Sequence, residues 1–145
     1  MEGNALAAFA VSPDGSRLVY VSEFEGRRRL YVRELDQIES VPIEGTDGGY
    51  NPFFSPDGQW LAFAAHGKLK KVPVRGGEAL ALCDAPALRG AAWAPNDTIL
   101  FAGLATGLFR VSAAGGTPEA VTTPDTARGE THRWPLILPG GRAAL

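Results

Sequence analysis

With 145 residues, 45% of them hydrophobic, and a formal net charge of −2, the chain is long and apolar enough to bury a core. A disordered chain is excluded, and so is any general electrostatic pull toward nucleic acid or an anionic membrane surface. No segment reaches the roughly twenty apolar residues of a membrane helix, so no membrane insertion by this segment is expected. The single cysteine, Cys83, has no partner for an internal disulfide and no second sulfur for a metal site, which leaves the compartment open.

The first predicted strand is Ala5–Val11. It looks like a short signal core, but it lacks a basic leader and runs directly into Ser12-Pro13-Asp14-Gly15, so no signal peptide is expected. Arg17–Ser22 follows as a second strand, Glu23–Arg29 as a bend carrying three solvated arginines, Leu30–Leu35 as a third strand and Ser40–Ile43 as an outer fourth. Pro42 suits an outer strand, where not every N–H has to donate. After a Gly45–Gly49 link, a second unit takes Asn51–Ser55, Trp60–Ala65, Lys68–Val74 and Glu78–Leu82 as strands, with His66-Gly67 as a two-residue hairpin link. A third takes Ala91–Ala94, Thr98–Ala102, Gly107–Ser112 and Glu119–Thr122. Trp134–Leu138 and Arg142–Leu145 then open a fourth hairpin around Pro139-Gly140-Gly141. No stretch combines a 3.6-residue period with helix caps, and the class is all-β.

One phrase organises these units. Phe53-Phe54-Ser55-Pro56-Asp57-Gly58-Gln59-Trp60 is a strand, a tight turn and a second strand, with proline fixing φ, aspartate bonding back to the backbone and glycine accepting positive φ. The phrase is anticipated at Ser12-Pro13-Asp14-Gly15, varied at Ala94-Pro95-Asn96-Asp97 and closed at Leu138-Pro139-Gly140-Gly141. A repeat of about forty residues built from short strands is the pattern of propeller blades. The reading is a partial β-propeller of about three four-stranded antiparallel blades, at about 5–44, 50–83 and 90–123, plus the first hairpin of a fourth at about 132–145.

The Ser-Pro-Asp-Gly phrase followed by a strand resembles the WD40-like repeat called PD40, found in TolB-type propellers. Gly67-Lys68-Leu69-Lys70-Lys71, Gly107-Leu108-Phe109-Arg110-Val111, Gly115-Gly116-Thr117-Pro118 and Arg128-Gly129-Glu130-Thr131-His132-Arg133-Trp134-Pro135 look closer still to the propellers at the C-terminal end of bacterial serine/threonine protein kinases. That resemblance covers nearly the whole chain and implies a signalling context, extracytoplasmic if the propeller is the sensor part of a membrane kinase. The chain has no glycine-rich phosphate loop, no His-Arg-Asp catalytic loop (His132-Arg133 runs into Trp134) and no Asp-Phe-Gly, so kinase activity does not carry over.

Asp14, Gly15, Asp57, Gly58, Asn96 and Asp97 recur because turn geometry asks for them, and they are read as structural. His66 and His132 have no companions at metal-ligand spacing, and no serine sits in a Gly-x-Ser-x-Gly elbow. No catalytic residue, metal or cofactor is expected. Superposing the repeats on the residue before each turn aligns Tyr50, Arg89 and Arg133 five positions earlier, and Asp47 with Glu130 eight positions earlier. These positions belong to the crossover from one blade to the next, on loops expected at the channel mouth, and they form a candidate site for an anionic ligand or a carboxylate-bearing peptide. Trp60, Trp93, Trp134, Phe54 and Phe63 are expected to fill the space between blades.

Three blades and a hairpin do not close a ring, so the expected role is a non-catalytic recognition scaffold belonging to a larger propeller, or to a homodimer that completes it. The alternatives are a fragment of a hydrolase- or peptidase-associated propeller and a truncated reading frame without independent function.

Overall fold

The computed structural model describes residues 9–103 and 107–145. The Ala5–Ala8 part of the first expected strand lies outside the described residues. The fold is all-β, with three four-stranded antiparallel sheets. The first contains β1 (Phe9–Val11), β2 (Arg17–Phe24), β3 (Arg27–Glu34) and β4 (Ser40–Pro42). The second contains β5 (Tyr50–Phe54), β6 (Trp60–Ala65), β7 (Lys68–Pro73) and β8 (Leu80–Asp84). The third contains β9 (Ala91–Trp93), β10 (Thr98–Ala102), β11 (Leu108–Ser112) and β12 (Glu119–Ala120). Each sheet is a simple meander in chain order, and β1, β5 and β9 lie side by side, the inner strands of an open propeller arc.

One hairpin, at Glu25-Gly26, closes more tightly than its sequence advertises, and His66-Gly67 forms the two-residue link expected of it. Glu25-Gly26 has φ of 51° and 74°, and His66-Gly67 has φ of 53° and 74°, the doubly left-handed pair that matches strand twist in a two-residue link. Because Glu25 takes a conformation that glutamate rarely adopts, Arg27, Arg28 and Arg29 are not in a bend. They pair in β3 with Phe24, Glu23 and Ser22. The outer strand of the second blade runs two residues later than expected, at Leu80–Asp84, and its pairing with β7 shifts register between Leu69 and Lys70. In the fourth unit, the two expected strands reduce to one bridge, Ile137 with Ala144, supported by reciprocal Leu136–Leu145 amide–carbonyl bonds.

The repeat phrase folds into one hydrogen-bonded device. The Ser12 hydroxyl donates to Asp14 Oδ1 at 2.7 Å and accepts the Arg17 amide at 2.9 Å; Ser55, Asp57 and Trp60 repeat this at 2.5 and 2.9 Å. These donors, with the Ser16 and Gln59 amides, hold the Asp14 carboxyl down at about 2 and keep Asp57 below its ordinary value. In the third blade the turn is one residue shorter. Asn96 takes the aspartate's place, accepting the Thr98 amide at 3.3 Å, and Asp97 occupies the glycine's left-handed position at φ 57°.

The core lies between the sheets. Val19, Leu30 and Ile43 of the first blade meet Phe54, Leu61, Phe63 and Val72 of the second. Ala62, Ala64 and Leu69 on the second blade's other face meet Trp93, Ile99, Phe101 and Val111 of the third. Strand β6 is thus buried on both faces, with large residues on one and alanines on the other, and each large side chain so buried contributes about 1.5–3 kcal/mol. Of the aromatics expected between blades, Phe54, Phe63 and Trp93 are buried and Trp60 packs at the margin. Trp134 instead remains 47% exposed, since no regular strand forms there to carry it inward.

Candidate functional site

The crossovers that deliver the chain to each inner strand share a backbone habit. Four residues before the turn, Asn51, Gly90 and Trp134 have φ of 50°, 98° and 54°. This left-handed kink re-aims the chain from the outer edge of one blade to the centre of the next. It also brings successive crossovers together. The buried Asn51 side chain donates to the Leu88 carbonyl at 2.9 Å, and the Trp134 amide donates to the Arg89 carbonyl at 3.1 Å. The fit around Gly90 is close: a Cβ there would lie 2.7 Å from Trp134 Cα.

The residues aligned by the repeat meet different surroundings. Tyr50 is the first residue of β5 rather than a loop residue, and the Arg28 guanidinium lies over its ring at 5.9 Å from the centroid. Arg89 is half-buried. Its amide donates to the Ala102 carbonyl, while its side-chain Nε is buried and has no hydrogen-bond partner among the described residues. Arg133 is exposed and makes no ion pair among the described residues. Glu130 is exposed and accepts the Asp125 amide at 3.0 Å beside a 3-10 turn at Thr126–Arg128. Asp47, its repeat equivalent, pairs with Arg29 at 2.5 Å. The crossovers of Asn51, Arg89 and Trp134 are therefore adjoining, whereas the two acids serve local contacts.

Sequence reasoning missed Asn51 and Arg28. Asn51 was legible: asparagine and glycine, the two residues most tolerant of positive φ, stand at the same repeat position as Asn51 and Gly90. Arg28 was not, because its reach to Tyr50 depends on the tight Glu25-Gly26 hairpin.

Chemically, the crossover end carries permanent positive charge and a buried Arg89 Nε–H with no acceptor among the described residues. A guanidinium stays ionised, and a buried N–H without an acceptor costs free energy that an incoming oxygen recovers. Among the described residues, no three His, Cys, Asp or Glu side chains gather as a metal site. Among the described residues, no helix is long and apolar enough to cross a membrane.

No family model matches the chain, and no curated protein matches it. Solved structures do. A TolB-type protein from Agrobacterium tumefaciens superposes with a TM-score of 0.66 at 19% identity, over 86% of this chain and 51% of that one. TolB from Acinetobacter baumannii gives 0.62 at 20% identity, over 81% and 32%. The β-propeller domain of the Trilobed protease from Pyrococcus furiosus gives 0.59 at 14% identity, over 80% and 43%. The chain spans about half or less of the length of these structures. At such identities the likeness speaks for architecture, and it agrees with the sheets described above: the chain has a TolB-type β-propeller fold, in part.

Proposed function

We propose that the chain is a non-catalytic propeller scaffold whose crossover loops hold an anionic group, either a carboxylate or phosphate on a protein or peptide partner or a small anionic ligand. The observation that carries this reading is the buried Nε of Arg89, without a hydrogen-bond partner among the described residues, on a loop tied to its neighbours by Asn51 and Trp134. Arg133 extends from the adjoining crossover as a second cation, and Tyr50 with Arg28 borders the same end. The motif resemblance to kinase-associated propellers supports placing this scaffold in the sensor part of a bacterial signalling protein. The outward face of blade one, where Phe9 is 62% and Val11 50% exposed, supports a further blade supplied by a longer chain or a second copy.

The test is titration of the full chain with inorganic phosphate and with a short peptide bearing a free C-terminal carboxylate. Saturable binding that weakens at least about tenfold in Arg89→Gln and again in the Arg89→Gln, Arg133→Gln pair is the expected result. Binding unchanged in the double variant, with circular dichroism intact, would sink the assignment. Similarity to the propeller domain of the Trilobed protease favours a second reading, in which the chain is a fragment of a propeller associated with a peptidase. A hydrolase domain with a nucleophile elbow in the same polypeptide of the source cell would decide for it.

A further inference from the structure

The end of the blades opposite the crossovers holds a cleft of about 530 Å³ between the second and third blades. Asp57 and Asp97 of the two repeat turns line it, together with Trp60, Trp93, Lys71 and Ser112. The Lys71 ammonium lies 4.7 Å from the Trp60 ring centroid, against the indole face. The Trp93 indole N–H donates to Asp97 Oδ1 at 3.3 Å. Asp57 Oδ1 accepts the Ser55 hydroxyl and the Gln59 amide. The second carboxylate oxygen of each aspartate has no hydrogen bond among the described residues.

Asp97 is the departure that makes the cleft acidic. The first, second and fourth turns put Gly15, Gly58 and Gly141 at this position, all with positive φ. There the turn abuts the preceding blade: a Cβ on Gly58 would lie 3.6 Å from Pro13 Cδ, and one on Gly141 2.9 Å from Pro95 Cδ. The third blade instead places a carboxylate at that junction in a backbone conformation that costs aspartate more than glycine.

The chemistry narrows the occupant. Two open carboxylate acceptors match hydroxyl donors, a lysine and a serine supply donors, and two indoles add apolar lining. A cationic side chain meets Lys71 already placed on the Trp60 face, and an anion meets two carboxylates. A neutral, polyhydroxylated ring with apolar C–H faces satisfies all of these groups at once, and the volume is that of an ordinary small-ligand pocket. We propose that this cleft binds a neutral saccharide, with Asp57 and Asp97 accepting from its hydroxyls, Lys71 and Ser112 donating, and Trp60 and Trp93 lining the cleft beside the ring.

The experiment is titration of the nitrogen-15-labelled full chain with glucose, galactose, N-acetylglucosamine, maltose, lactose and chitobiose, following the indole N–H signals. A saturable shift of Trp60 and Trp93 with at least one sugar, at millimolar Kd and with Trp134 unmoved, is expected. Asp97→Gly, which restores the repeat's own turn residue, keeps the fold and weakens that binding at least about tenfold; Asp97→Asn, which retains the side-chain volume, weakens it too. The proposal fails if no sugar in the panel moves either signal up to about 50 mM. It fails equally if both Asp97 variants bind like the parent, or if a tetra-arginine peptide saturates the signals where the sugars do not.

Discussion

The side chain of Asn51 donates to the main-chain carbonyl of Leu88 at 2.9 Å, a hydrogen bond spanning two blades from a residue only 3% exposed. Leucine at this position keeps the volume while losing the donor and the tolerance of φ 50°. Asn51→Leu is expected to lower stability by about 1–3 kcal/mol, read as an earlier midpoint in urea. A midpoint equal to the parent would show that the crossovers are joined by packing alone.

The turn aspartates make stability depend on acid. Asp14 sits at about 2 in the folded chain against 3.8 for a free carboxylate, and Asp57 is lowered too. The folded state therefore binds fewer protons than the unfolded one in this range, and the contribution of these carboxylates is complete above 3.8 and lost as pH falls toward 2. Replacing both by asparagine is expected to flatten the stability curve between those values. Thermal midpoints at closely spaced pH would show it, and an unaltered slope would remove the turns from the account.

Two glycines with similar φ differ in their surroundings. A Cβ on Gly45 would stand 2.3 Å from the Gly77 carbonyl oxygen, whereas one on Gly26 meets nothing within 4 Å. Gly26→Ala is expected to cost about 1 kcal/mol, the left-handed penalty alone. Gly45→Ala should cost at least about 2 kcal/mol more, because backbone must move. Equal denaturation midpoints for the two variants would contradict the close approach.

Burial, with Asp84 adjoining, pushes the Cys83 thiol up to about 11 from 9.0. At pH 8 the thiolate is scarce, so iodoacetamide is expected to label native Cys83 far more slowly than the urea-unfolded chain. Equal rates would place Cys83 in the open.

The architecture was legible because turn chemistry is local: Pro-Asp-Gly announces itself wherever it occurs, and β6 and β10 lie where their sequences put them. The register shift of β8 beside Leu69 was not, since it depends on how two strands settle rather than on either strand's residues. The arginines of β3 were misplaced because charge suggests solvent, while only Glu25's left-handed backbone says how soon the hairpin closes. At the crossovers, repeat alignment found Arg89 but could not find its buried Nε, which exists only once Ala102 and Trp134 have fixed the loop from both sides. Asp97 was read as a shifted motif. Its meaning came from the proline of the neighbouring blade, which no single repeat contains.

The abutment of each turn on the preceding blade's proline reaches beyond the hairpin it closes. At Gly141, where a Cβ would stand 2.9 Å from Pro95 Cδ, the missing side chain acts as the spacer between the third blade and the last hairpin. Adding a side chain there pries the blades apart like a shim, on one end only, and so alters their tilt. The arc's curvature is thereby adjustable at this junction, by a substitution that leaves every strand and every core residue untouched.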